Sequence, residues 1–189
     1  MASEVGICNR ALDMLGQPPI LALDNSSKTA AACLRNYGPS RDYVLRSYPW
    51  NSATARVSLV ALTEAPAFGY ARAFQLPADC LRVMDTEDDL KDVSWRREGN
   101  LLLTDAASPL RIRYIRRLTD PSLMDDMLAE VIAAHVASSI AYQIVGSNEA
   151  VARAATLYRE KHADARMLDA REQSQDEGFS IDTWLNARF

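Results

Sequence analysis

The chain has 189 residues, 48% of them hydrophobic and 24% charged, and carries a formal net charge of -4. A chain this long buries roughly 70% of its unfolded surface and folds without staples. Its charge argues against a general affinity for nucleic acid or acidic membranes. The 3 cysteines, Cys8, Cys33 and Cys80, lie far apart and form no CxxC, which argues against a zinc site or a disulfide framework. They read as small buried hydrophobes in a reducing compartment. "MASEVGICNRAL" has no basic region ahead of an apolar core, and no apolar run approaches the roughly 20 residues of a membrane span. A soluble protein made in a cytoplasm, without a membrane partner, is expected.

Ser3 is placed to cap a first helix. Val5, Cys8, Leu12 and Leu15 recur at helical spacing, and Gly16 stops the run. After the loop "QPPILALDNSS", Asn25 or Ser26 opens a second helix, with Ala30, Cys33, Leu34, Tyr37, Val44, Leu45 and Tyr48 on its apolar face. Pro39 removes a backbone donor and predicts a kink or a split. Pro49 pushes Tyr48 out of helical geometry, so the helix ends there.

From Trp50 the period falls to two. "ATARVSLVAL", "ARAFQLP", "CLRVMDT", "DVSWRRE", "NLLLTD" and "PLRIRYIRR" read as short strands, with Gly99-Asn100 a hairpin turn. Asp120-Pro121 is a cap with proline in the first turn, predicting a long helix that runs to Gly146. Its alanines and serines let neighbouring helices approach closely. Ser147 caps a fourth helix, with Val151, Ala155, Tyr158, Ala165 and Leu168 near one side, fading after Arg171.

The expected fold is mainly α. Residues 1–49 and 119–172 form a four-helix body, 50–118 an inserted small antiparallel sheet, and 173–189 an extended tail. Phe179, Ile181, Trp184, Leu185 and Phe189 follow the polar lead "SQDEG". They are too few for a core, and a polar lead suits a segment that orders on binding. They must pack back on the same subunit or dock on another protein, and docking is the expected reading, with Trp184 the main anchor.

The sequence holds no GxGxxG, Walker loop, HExxH or GxSxG, so no cofactor or metal is predicted. His135 and His162 read as packing residues, because one histidine without a partner makes no catalytic constellation. The acidic stretch from Asp85 to Asp92 lacks the ligand alternation and central glycine of a calcium loop, and reads as a solvated loop. On the last strand Arg111, Arg113 and Arg117 point one way with Ile115, and Leu110, Ile112, Tyr114 and Arg116 the other. The arginines make either a solvated face or a basic band facing acidic partner groups or DNA.

Four stretches occur in a telling order: "ICNRALDMLG", "RDYVLRSYPWNSA", "YARAFQLPADCLRV" and "RIRYIRRLTDPS". Together they resemble the tail tubular protein A family, the head-to-tail adaptors of short-tailed bacteriophages. The resemblance runs from about Ala2 to Tyr158. The family often has histidine where this chain has Tyr48, and an aromatic where it has Ser52. The resemblance implies a structural virion protein in the neck of the particle, without enzymatic activity. It would form a homo-oligomeric ring, usually of twelve subunits, beneath the portal protein ring. It would then receive the tail nozzle protein and line a channel through which genomic DNA passes without specific binding. Tyr48, Pro49 and Trp50 would form the structural corner where helices hand over to strands.

Two other readings stand beside this one. A virion peptidoglycan hydrolase needs paired carboxyl groups, for which Glu64, Glu87 and Glu98 are the available acids in the insertion. A soluble helical interaction protein unrelated to virions is the third.

Overall fold

The computed structural model describes residues 2–86 and 94–173. The segments 87–93 and 174–189, which hold most of the acidic stretch and the whole apolar tail, lie outside the described residues. Helix α1 spans Glu4–Met14, with Ser3 accepting the Gly6 N–H at 3.0 Å, and Gly16 turns the chain away at φ +65°. Helix α2 spans Lys28–Ser47. It is capped by Ser27, whose side chain accepts the Ala30 N–H, so the opening falls one residue beyond Ser26.

Pro39 does not split α2, which runs through it as one helix. Pro39 and Arg35 are both exposed, so the carbonyl left without its helical donor faces water. Tyr48 leaves the helix in extended geometry, at φ -144°.

A single 3₁₀ turn, Asn51–Ala53, leads into strand β1, Thr54–Leu59. The further strands are β2 Arg72–Gln75, β3 Cys80–Thr86, β4 Trp95–Glu98, β5 Leu101–Thr104 and β6 Leu110–Arg116. The helix expected from Asp120 begins later. Pro121–Leu123 is a separate 3₁₀ turn, and Asp125 caps α3, Asp126–Val145, accepting the Leu128 N–H at 2.7 Å. Helix α4 spans Asn148–Gln173.

The expectation of a four-helix body carrying one inserted sheet is corrected. The strands form two three-stranded antiparallel sheets, ordered β1-β6-β3 and β2-β5-β4, and the two long helices α3 and α4 follow one another in the C-terminal half. The helices are not a bundle of equal neighbours either. Helix α3 packs on α1, α2 and α4, whereas α1 and α2 barely meet. The cause is in its sequence. Leu128, Val131, Ile132, Val136 and Ile140, with Ala129, Ala133, Ala134, Ala137 and Ala141, are buried on every side of α3. Helix α3 is also long and apolar enough to cross a membrane, contrary to expectation, but more than half of it is buried inside this fold.

The sheets are not a separate appendage. Leu81, Ile115 and Leu118 belong to the same core as Ile7, Leu12, Leu45 and Ile132. A second core of Leu59, Phe74, Leu76, Val83, Leu102, Leu110, Ile112 and Tyr114 fills the space between the two sheets. The β1-β6-β3 sheet is thus a middle layer, covered by helices on part of one face and by the second sheet on the other. The Leu81 carbonyl accepts from Arg46 of α2 at 3.0 Å and from Arg97 of β4 at 2.9 Å, which ties all three layers.

Candidate functional site

The corner after α2 gathers polar and aromatic groups into one cluster. Trp50 is 1% exposed, and its indole N–H donates to the Val44 carbonyl at 2.9 Å. Tyr48 meets it edge-on at 5.0 Å, with the Arg166 guanidinium 5.0 Å from the Tyr48 ring. A run of rings continues from the buried Trp50 out to the exposed Tyr43. His162 lies 5.8 Å from Trp50 and 5.6 Å from Tyr158, and His135 lies 4.9 Å from Tyr158 and stacks on Tyr43 at 4.6 Å. Asp169 of α4 accepts the Asn51 N–H at 3.1 Å, and its carbonyl accepts the Asn51 amide at 2.9 Å. The Tyr48-Pro49-Trp50 corner is therefore sewn to α4, not only to the strands.

His162 Nε2 sits 3.0 Å from Ser47 Oγ, the spacing of a nucleophile and its base. The chemistry does not follow. Ser47 donates its proton to the Val44 carbonyl at 2.7 Å, so His162 is the donor in their contact. Burial lowers the pKa of both histidines, helped by His162 for His135 and by Arg166 for His162. His135 Nδ1 is buried without a hydrogen-bond partner. Burial therefore favours the neutral form of both rings. Cys8 and Cys33 are buried together, and the contact with Cys33 and burial push the Cys8 thiol up. Among the described residues no three metal-ligating side chains come together.

The arginine band is rearranged. Arg117 lies beyond the end of β6 and donates to Asp42 of α2 at 2.8 Å, away from the others. Arg111 and Arg113 do share a face. The register pairs Arg113 with Arg56 and Arg111 with Ser58, so Arg56 joins them from β1. Asp85 accepts from Arg113 Nε at 2.9 Å and holds the Arg113 pKa up. These four charged side chains line an open cleft of ≈ 420 Å³ with Val57, Ser58 and Ile112. Arg56 could not be found from sequence, because only the β1–β6 register places it there.

Glu64 and Glu98 border another cleft of ≈ 420 Å³, beside the β1–β2 loop. Glu98 sits 3.7 Å from Arg96, with both side chains exposed. Glu87 lies outside the described residues. The same loop exposes Val60 at 75% and Phe68 at 88%. A third groove, ≈ 700 Å³, runs between the end of α1 and the first half of α4, with Met14, Leu15, Ala150, Ala154 and Leu157 along it. The apolar tail residues Phe179, Ile181, Trp184, Leu185 and Phe189 lie outside the described residues.

No family model matches the chain, and no curated protein does.

Proposed function

We propose that the chain is a head-to-tail adaptor of a short-tailed bacteriophage. It is a structural virion subunit that forms a ring between the portal and the tail nozzle, lines the DNA channel and catalyses nothing. One observation carries the reading beyond the sequence resemblance. The four resembling stretches, scattered over the chain, supply one shared core: Ile7 and Leu12, then Val44, Leu45 and Trp50, then Leu81, then Ile115 and Leu118. The resemblance thus falls on the residues that build the junction of helices and sheets, where a common fold has to agree. The exposed Val60 and Phe68 at the β1–β2 loop and the basic face of β1 and β6 are its supporting surfaces for partners. The apolar stretch 179–189 is the sequence's own candidate for contact with the portal or a neighbouring subunit.

The test is capture of the purified chain by portal rings, followed by electron microscopy of the product. A closed ring stacked on the portal is expected, and a chain truncated at 178 should lose attachment. Full-length protein that never associates with a portal of its own phage ends the reading. Glu64 and Glu98 sharing a cleft is the one observation that favours a hydrolase. Cell-wall cleavage lost in both Glu64→Gln and Glu98→Gln would bring that reading forward.

A further inference from the structure

The β1–β6 face breaks a rule of sheet construction. Arg56 and Arg113 are direct cross-strand partners. Side chains so placed have Cβ atoms about 5 Å apart, and like charges there repel. Arg111 adds a third guanidinium on the same face, about 7 Å along the strand from Arg113. Asp85 pairs with Arg113. Arg56 makes no ion pair with any described residue. A sheet face that keeps such a conflict, when Ser or Thr would serve the strand better, is where function is expected to override folding.

The lining also says what kind of ligand fits. The cleft contains guanidinium forks, the Asp85 carboxylate held by Arg113, the Ser58 hydroxyl, Val57 and Ile112, and no aromatic ring among its lining residues. Guanidinium forks match the paired oxygens of phosphate. Without a ring there is no platform for stacking a base. The cleft is open. The spacing of Arg111 and Arg113 covers about two nucleotide rises of 3.4 Å.

We propose that Arg56, Arg111 and Arg113 form a phosphate-binding cleft that reads charge and not base identity. Its ligand carries phosphate oxyanions, either in a nucleic-acid backbone or in a free polyphosphate. The site does not depend on the adaptor reading. Portal capture decides that one, and the titrations below decide this one.

The experiment is fluorescence anisotropy of the full-length chain with an end-labelled DNA duplex over a salt series, with pyrophosphate measured separately by calorimetry. Three phosphate contacts predict a fall in affinity of roughly 40-fold between about 50 and 200 mM salt, from a slope near -0.9 per contact. Arg56→Gln and Arg111→Gln should each flatten that slope by about one unit, without lowering the thermal melt. Arg153→Gln, on the outer side of α4 beside Glu149, is the control and should change nothing. Binding of both ligands, weakened by Arg56→Gln, identifies a backbone site. Binding of pyrophosphate alone, weakened by the same change, identifies a free polyphosphate as the ligand. No binding of either at low salt overturns the proposal, as does binding indifferent to Arg56→Gln. A polyglutamate peptide that displaces DNA at equal charge also overturns it, because the cleft would then recognise acidic protein.

Discussion

Trp50 reaches back across the end of α2 to donate its indole N–H to Val44, the residue six positions earlier, at 2.9 Å. The helix end and the first residue of the turn are locked by one side chain. Trp50→Ala removes a fully buried ring and should cost about 3–5 kcal/mol. Trp50→Phe keeps most of the packing. It loses one hydrogen bond, but Ser47 still serves the Val44 carbonyl at 2.7 Å, so the cost should be about 1 kcal/mol. Urea unfolding midpoints check both. An unchanged curve for Trp50→Ala would mean that the corner is not held by this residue.

Acid should loosen the junction of α2, α3 and α4. His135 faces Tyr43 from α2 and Tyr158 and His162 from α4, and His162 faces Trp50, Tyr158 and Arg166. The nearby Lys161–Glu130 pair, at 2.8 Å, bridges α4 to α3. Both histidines have folded pKa values below the ordinary 6.5, so the unfolded chain takes up protons first. Their contribution is fully present above about pH 6.5 and is lost as pH falls through the lowered folded values. Asp169 acts with the opposite sign, because burial raises its pKa, and it acts in the carboxylate range. A falling melting temperature between about pH 7 and 5 therefore belongs to the histidines. In a His135→Phe, His162→Phe double variant that slope should flatten, and a slope that persists unchanged removes them as its cause.

Asn9 holds the loop after α1. Its amide donates to the Ile20 carbonyl at 3.1 Å, and its carbonyl accepts the Ile20 N–H at 2.8 Å. Only an amide can do both. Asn9→Asp keeps the acceptor, loses the donor and sets a charge against a carbonyl, so it should cost about 1–3 kcal/mol, close to Asn9→Ala. Hydrogen exchange at the Ile20 amide should speed up in Asn9→Ala, and protection equal to wild type would disprove the clamp.

What could be read in advance follows from the range of the interaction. The α1 cap at Ser3 and its stop at Gly16 are local, and they were legible. The opening of α2 falls one residue beyond Ser26, because Asn25, Ser26 and Ser27 are all good caps and local chemistry does not rank them. Asp120 and Asp125 are both good caps, and it is Asp125 that holds the start of α3. Alternation located the strands but carried no pairing. It does not show that β1 joins β6, so it neither separates the two sheets nor places Arg56. The spacing on α4 groups Ala165 and Leu168 near one side, yet Ala165 is buried and Leu168 exposed, and Ala150 and Ala154 also face inward. The Asn51–Asp169 contact spans 118 residues, and nothing local announces it.

The cross-strand arginines give the last prediction, in which the sign matters more than the size. If Arg56 serves the fold, removing it should destabilise. If it opposes Arg113 at a cost, removing it should help. Arg56→Thr relieves a direct like-charge pair and places a β-branched residue on an edge strand, so a gain of about 0.2–1 kcal/mol is expected. Arg113→Thr should go the other way by no more than about 1 kcal/mol, because it leaves Asp85 unpaired at a half-exposed site. The two effects share one interaction, so the double variant should not equal their sum. Added salt should narrow the difference between wild type and Arg56→Thr, since screening removes the repulsion that the substitution removes. Urea melts of the four proteins at low and high salt decide it. A loss of stability in Arg56→Thr, insensitive to salt, would make Arg56 a structural residue and leave the face without its conflict.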